Sequence, residues 1–110
     1  MDIDQYARLA DRVANRTEED TDDWRLTNFS LGLAGESGEV CDLIKKALFH
    51  GHGLHAEKIK EELGDVLWYV AMIATTMGMS LNEIAEENIA KLSRRYPNGF
   101  DKSKSVNRQR

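Results

Sequence analysis

Four acidic residues stand in two pairs with the same spacing, and each pair lies among apolar residues. Glu36 and Glu39 form the first pair, and Glu62 and Asp65 form the second. A spacing of three residues puts the members of a pair about 60° apart around a helix, on one packing face. Carboxylates crowded there repel one another, and burying each one costs several kcal/mol unless a cation compensates it. Oxygen ligands without cysteine or histidine suit Mg²⁺ or Mn²⁺, so the pattern predicts a divalent-metal site.

Glycines mark the same two segments. Gly32, Gly35 and Gly38 recur every three residues around the first acidic pair, and Gly64 lies within the second. Each glycine costs about 1 kcal/mol relative to alanine in a helix interior. We expect the close approach of a neighbouring helix or of a ligand to offset this cost. The alternative is a helix that is frayed or broken at these points.

Three helices are predicted between residues 4 and 77, and the second and third of them carry the acidic pairs. Apolar residues at i, i+3, i+4 and i+7 predict a first helix over residues 4–14 and a long second helix over 24–48. A glycine-containing connection then precedes a third helix over 56–77, which Gly78 ends. Both acidic pairs are expected to point to where the second and third helices pack together.

A capping pattern predicts the fourth helix. Ser80 and Glu83 have the spacing of a capping box, and the helix must stop before Pro97. Its inward face is expected to consist of Leu81, Ile84, Ala85, Ile89 and Leu92. The fold class is therefore all-α, a four-helix bundle protomer.

The composition excludes several classes of protein. A single cysteine cannot form an internal disulfide framework, so we expect a reducing, cytoplasmic environment. No run approaches the ~18 apolar residues of a membrane span, and a net charge of −4 disfavours general binding to nucleic acid. The 110 residues, 41% of them hydrophobic, predict one domain over 1–100 with a core of its own or one shared with a partner subunit. The polar, basic tail over 101–110 is predicted to be disordered.

The acids and their surroundings resemble a known enzyme family. Residues 35–39 read Gly-Glu-Ser-Gly-Glu, residues 61–65 read Glu-Glu-Leu-Gly-Asp, and the last helix closes on Arg95-Tyr96-Pro97. This pattern resembles the E-x-x-E…E-x-x-D signature of the MazG-like, all-α nucleoside triphosphate pyrophosphohydrolases. The resemblance extends over about residues 24–100, most of the chain.

The resemblance implies a reaction and an assembly. It implies Mg²⁺-dependent cleavage of a nucleoside triphosphate between the α- and β-phosphates, with Mn²⁺ as a possible substitute. It also implies a homodimer or homotetramer whose assembly completes the core. Glu36, Glu39, Glu62 and Asp65 would bind the metal and act in catalysis through a metal-activated water.

The resemblance further implies substrate-binding residues. On the second helix, Lys46 matches a position suited to a phosphate. On the fourth helix, the positions that match residues reaching the phosphates or sugar, across a subunit boundary, are Asn88, Lys91 and Arg95. The positions that match contacts to the base and sugar are Trp24, Asn28, Trp68 and Tyr69.

One position departs from the family pattern. Many members carry a second acid, a candidate general base, where this chain has Gly35. The attacking water would then be activated by the metal alone or by one of the ligand acids. Glu61 is a less favoured base, because the helical wheel places it about 100° from the face of its neighbouring pair.

Two other functions remain open. The chain could be the related phosphoribosyl-ATP pyrophosphohydrolase, although the glycine-rich run before Glu36 favours the nucleoside triphosphate pyrophosphohydrolase. It could also be a non-catalytic helical oligomerisation module that keeps the acids as structural ion sites.

Overall fold

The computed structural model describes residues 1–14 and 16–100, and most of them lie in helices. The elements are α1 (Ile3–Asp11), α2 (Asp22–Phe49), α3 (Ala56–Thr76) and α4 (Leu81–Arg95). No strand occurs in these two described ranges, so the prediction of four helices is confirmed. The tail over 101–110, and with it the prediction of its disorder, lies outside the described residues.

α1 ends earlier than the apolar periodicity predicts. The N–H groups of Arg12, Val13 and Ala14 each donate to a carbonyl three residues back, at 3.1–3.2 Å. These bonds tighten the chain into turns and end the α-helical pattern at Asp11. Val13 lies beyond this end, within the predicted range of the helix, and is exposed.

The other helix ends follow local sequence signals. The Thr21 hydroxyl accepts from the Trp24 N–H at 3.1 Å, so α2 begins slightly earlier than expected. After α3, Gly78 has a φ of +70°, and its N–H and that of Met79 donate back to Thr75 and Ala74. Because a left-handed residue with these two bonds closes a helix, the prediction that Gly78 ends α3 is confirmed.

Aromatic side chains join α2 to α3. The ring of Phe29 on α2 lies 5.7 Å from that of Trp68 and 6.5 Å from that of Tyr69, both on α3. Trp68 also donates its Nε1–H to the carbonyl of Ala10 at 3.1 Å, which fastens α1 to the other side of α3. The cluster therefore sets the antiparallel register of α2 on α3 and holds α1 against them.

Close helix packing explains one of the helical glycines. A Cβ at Gly32 would lie 2.8 Å from Cδ1 of Tyr69 and closer still to Cε1 and Cζ. Only glycine lets the Tyr69 ring lie flat against α2 here. A Cβ at Gly35, Gly38 or Gly64 would meet nothing within 4 Å, and both helices run unbroken through these positions. The described residues of one protomer do not explain these three glycines.

The core of the protomer is small. Its buried apolar residues centre on the second half of α3, and they are Ala10, Phe29, Ala71, Met72, Ala74 and Leu81. Leu33 on α2 and Val66 on α3 are half-buried beside this core. No helix in the described part of the chain is long and apolar enough to span a membrane.

The predicted inward face of α4 is wrong for the protomer beyond its first residue. Leu81 is buried. The other four residues of the predicted face are exposed, and they are Ile84, Ala85, Ile89 and Leu92. Ile89 is the most exposed of the large ones, at 64%. α4 contacts α1 and α3, and those contacts leave most of its apolar side uncovered. Periodicity identifies an apolar face but not whether a neighbour in the same chain covers it.

Gly32→Ala is expected to destabilise the protein, whereas Gly35→Ala is not. A methyl group at residue 32 forces the Tyr69 ring out of its packing, and such overpacking costs about 1–3 kcal/mol. Alanine at residue 35 meets open space and gains up to about 1 kcal/mol of helix propensity. Urea unfolding of both variants at one protein concentration measures the difference. Equal stabilities would contradict the packing assigned to Gly32.

Candidate metal centre

Three carboxylates meet between α2 and α3. One oxygen each from Glu36, Glu62 and Asp65 can be chosen so that all three lie within 4.8 Å of one another. Glu36 lies one helical turn beyond Gly32 on α2, and Asp65 lies one turn before Tyr69 on α3. The aromatic packing of the two helices therefore brings these acids face to face.

Two of these carboxylates have a buried oxygen without a partner. Oε2 of Glu36 and Oε2 of Glu62 are screened from solvent, and no donor in the described part of the chain reaches them. The nearby ion pair of Lys46 uses Asp42, not the cluster. Buried acceptors are ordinarily satisfied, so this donor set fits a hard divalent cation that takes carboxylate oxygens.

The crowding changes the acidity of one member. When Glu62 carries a proton, it can share that proton with Glu36 in a side-chain hydrogen bond, which raises the pKa of Glu62; burial and the charges of Glu36 and Asp65 raise it further. The cluster thus retains a proton more readily than an isolated glutamate, because a proton reduces the repulsion. A bound cation would do the same.

Glu39 differs from the other predicted ligands. It is exposed on α2, as Asp65 is on α3, and it does not belong to the group whose oxygens lie within 4.8 Å. In the protomer, the cluster between α2 and α3 therefore forms from three of the four predicted acids. The role of Glu39 as a metal ligand stays a prediction.

Lys46 lies on the Glu39 side of α2. Its ammonium group pairs with Asp42 at 2.7 Å, and about half of its side chain is exposed. The hydrogen bond and charge of Asp42 raise the pKa of Lys46, and Glu39 contributes to the same shift. Glu39, two helical turns before Lys46, is therefore close enough to act on its charge.

The four predicted base and sugar contacts fall into two groups. Trp24 and Asn28 are exposed on the first turns of α2. Trp68 and Tyr69 are half-buried, with ring centroids 5.1 Å apart, and they pack the helices together. In the protomer the second pair has a structural role, and its contact with substrate stays a prediction.

The predicted phosphate contacts on α4 lie on the surface. Asn88 and Lys91 are exposed, and Arg95 is half-buried at the last residue of the helix. Their predicted action across a subunit boundary remains a prediction.

Tyr6 on α1 is a residue near the acidic cluster that no sequence motif assigns to the site. Burial raises the pKa of Tyr6 on α1, and the charge of Asp65 raises it further. Tyr6 therefore lies within the electrostatic field of the acids. Only the packing of α1 on α3 brings residues so distant in the chain together.

Comparison with known proteins agrees with this geometry. The family model of the MazG nucleotide pyrophosphohydrolase domain matches residues 26–100 of the sequence. This range includes both acidic pairs and the whole of α4. The chain is also 33% identical over 87 residues to the Gene 37 protein of Mycobacterium phage L5, covering 76% of each chain. No solved structure matches. The chain belongs to the MazG nucleotide pyrophosphohydrolase domain family.

Proposed function

We propose that this protein is a Mg²⁺-dependent nucleoside triphosphate pyrophosphohydrolase. Water attacks at the α–β phosphoanhydride, that bond breaks, and the products are a nucleoside monophosphate and pyrophosphate. The observation that carries the proposal is the meeting of Glu36, Glu62 and Asp65, two of them with an orphaned buried oxygen, in a chain of this family.

The acids have a definite task in this reaction. Glu36, Glu62 and Asp65 would hold the cation between α2 and α3, and Glu39 would join them from the outer side of α2. When bound, the cation supplies charge neutralisation for the phosphates and lowers the pKa of a water molecule. Phosphoryl transfer needs mainly positioning and charge neutralisation, which a rigid pair of packed helices provides.

The proton of the attacking water has no dedicated acceptor at residue 35. Gly35 offers no side chain, so a carboxylate oxygen of the cluster that is not engaged with the cation, or the solvent, takes the proton. Glu61 is exposed beside Glu62 on α3 and outside the cluster, which makes it the weaker candidate.

Lys46 supports the proposal through its exposure. Its pair with Asp42 is a surface ion pair, and such pairs contribute about 0–1 kcal/mol. Lys46 can therefore exchange this partner for a phosphate at small cost. Trp24 and Asn28, exposed on the same helix, would contact the base and sugar.

We also propose that the protein forms a homodimer or homotetramer. Large apolar side chains are exposed at several places, and they include Leu31, Leu48, Phe49, Leu63 and Ile89, each more than half exposed. Burying such surface against a second copy is favourable by roughly 25 cal/mol per Å². A cytoplasmic location stays a prediction.

A nucleotide panel tests the function. Nucleoside triphosphates and phosphoribosyl-ATP are incubated with the protein and Mg²⁺, and released pyrophosphate is measured against released phosphate. We expect pyrophosphate from at least one nucleoside triphosphate. Turnover of phosphoribosyl-ATP alone would favour the related pyrophosphohydrolase, and no pyrophosphate from any substrate would favour the non-catalytic module.

Glu36→Gln is expected to lower turnover by about 100-fold or more, at least the loss known for groups that merely support metal ligands. The matched control is Glu61→Gln, which removes an exposed acid of α3 outside the cluster. Circular dichroism checks that both variants are helical. Glu39→Ala belongs to the same series, and full activity in that variant would remove Glu39 from the ligand set.

The acidic cluster predicts a pH effect that Mg²⁺ reduces. Because the pKa of Glu62 is raised in the folded state, its contribution to stability is present at low pH and is lost as the pH rises through that pKa. In EDTA, we expect the Tm to fall as the pH rises above 4.5, the ordinary pKa of a glutamate carboxyl. Added Mg²⁺ should raise the Tm more at higher pH.

Two variants isolate this effect. Glu62→Gln should flatten the pH dependence of the Tm in EDTA, whereas Glu61→Gln should retain it. A Tm that does not respond to millimolar Mg²⁺ at neutral pH would contradict a preformed metal site.

Ile89→Glu is expected to weaken the assembly, because it places a charge on the exposed apolar side of α4. Arg94→Glu introduces the same side chain on the opposite side of the helix and should leave the assembly intact. Sedimentation velocity of both variants and of the unchanged protein measures the effect. If the protein without substitutions sediments as a monomer, the proposed oligomer is contradicted.

A further inference from the structure

A carboxylate of α1 binds the start of α4. The hydroxyl of Ser80 donates to Asp4, with its Oγ 3.1 Å from Oδ1 and 2.9 Å from Oδ2. The N–H of Asn82 donates to Oδ1 of Asp4 at 3.0 Å. The same Ser80 oxygen accepts from the N–H of Glu83 at 3.1 Å and so caps α4. Asp4 thus completes the N-terminal cap of a helix 76 residues further along the chain.

The charge of Asp4 suits this position. The first N–H groups of a helix lack partners within the helix and attract an anion. The N–H of Asn82 is the main cause of a lowered pKa at Asp4, followed by the hydroxyl of Ser80. The carboxylate form is therefore the form that α4 binds.

Apolar packing within the protomer holds α4 mainly at its first turn. Its contacts in the described chain are with α1 and α3, and Leu81 is its buried apolar anchor. Ile84, Ile89 and Leu92 are exposed, so little packing within the protomer orients the rest of the helix.

α1 is itself fixed relative to the acids. Ala10 accepts the indole N–H of Trp68, and Trp68 lies one turn after Asp65 on α3. A continuous set of contacts therefore runs from the acidic part of α3, through α1, to the first turn of α4. α1 precedes residues 26–100, the part of the chain that matches the family.

We propose that Asp4 is a positioning residue that fixes the direction of α4 relative to α1 and α3 of its own protomer, and with it the predicted phosphate-binding side chains that α4 presents across a subunit boundary. This inference rests on the proposed function, together with the phosphate contacts that the family resemblance implies for Asn88, Lys91 and Arg95. Asp4 touches neither substrate nor metal. It acts through Ser80 and Asn82.

The test uses the full chain with Asp4→Asn and, as a matched control, Asp2→Asn. Asp2 caps α1 by accepting from the N–H of Gln5 at 2.8 Å, and asparagine caps a helix about as well as aspartate, so Asp2→Asn removes a charge close to Asp4 in the chain but leaves α1 intact. Two quantities are measured: hydrogen exchange of the α4 amides, and the dissociation constant of inorganic tripolyphosphate in the presence of Mg²⁺. Tripolyphosphate presents phosphates without a base, so it needs no knowledge of the nucleotide.

Asp4→Asn should speed amide exchange in α4 by about tenfold, the loss expected for a hydrogen bond to a charged group. It should also weaken tripolyphosphate binding several-fold. Asp2→Asn should leave both quantities as in the unchanged protein. Ser80→Gly supplies a second variant, since glycine is tolerated at a helix N-cap while the hydroxyl that binds Asp4 is lost.

Three results would overturn the proposal: equal α4 exchange in Asp4→Asn and Asp2→Asn, faster exchange with unchanged tripolyphosphate binding, or no tripolyphosphate binding by the unchanged protein. Failure of the proposed function has a different signature. An absence of pyrophosphate release from every nucleotide would reject the reaction, while exchange and tripolyphosphate binding would still decide the role of Asp4.

Discussion

The packing of α2 against α3 is the constraint on which the rest of the structure depends. Gly32 lets the ring of Tyr69 lie against the α2 backbone, and Phe29 packs against the same aromatic cluster. That contact sets the register of the two helices. The register then brings Glu36, one turn beyond Gly32, together with Asp65, one turn before Tyr69, and with Glu62. The same interface therefore combines favourable burial of aromatic rings with unfavourable crowding of carboxylates. A bound cation would reduce the repulsion between these carboxylates.

The remaining helices depend on that pair. α1 is held by the indole of Trp68, a member of the same aromatic cluster, and it carries Asp4 to the start of α4. α4 is therefore oriented by polar contacts more than by packing. Its exposed apolar side and the small core leave much hydrophobic surface uncovered in one protomer. Stability and site formation are expected to be linked to assembly for this reason.

Much of the local structure could be predicted from the sequence, since its causes are local. Apolar periodicity predicts the four helices, and Ser80 and Gly78 mark ends that the structure confirms. The end of α1 was not predictable from periodicity, because its last turn tightens while the apolar spacing continues. The apolar side of α4 was identified, but its burial was not, because burial depends on a neighbour that the pattern does not specify.

By itself, the sequence determined the helices, the two acidic pairs and the resemblance that the family match confirms. These follow from spacing along one helix and from a motif. Only the tertiary structure decided that Glu36 meets Glu62 and Asp65 while Glu39 lies outside the group, because the packing of α2 on α3 selects which member of a pair reaches the neighbouring helix, and the spacing treats both members alike. It likewise decided that Asp4 belongs to the cap of α4, since a contact between residues so far apart in the chain leaves no local signal.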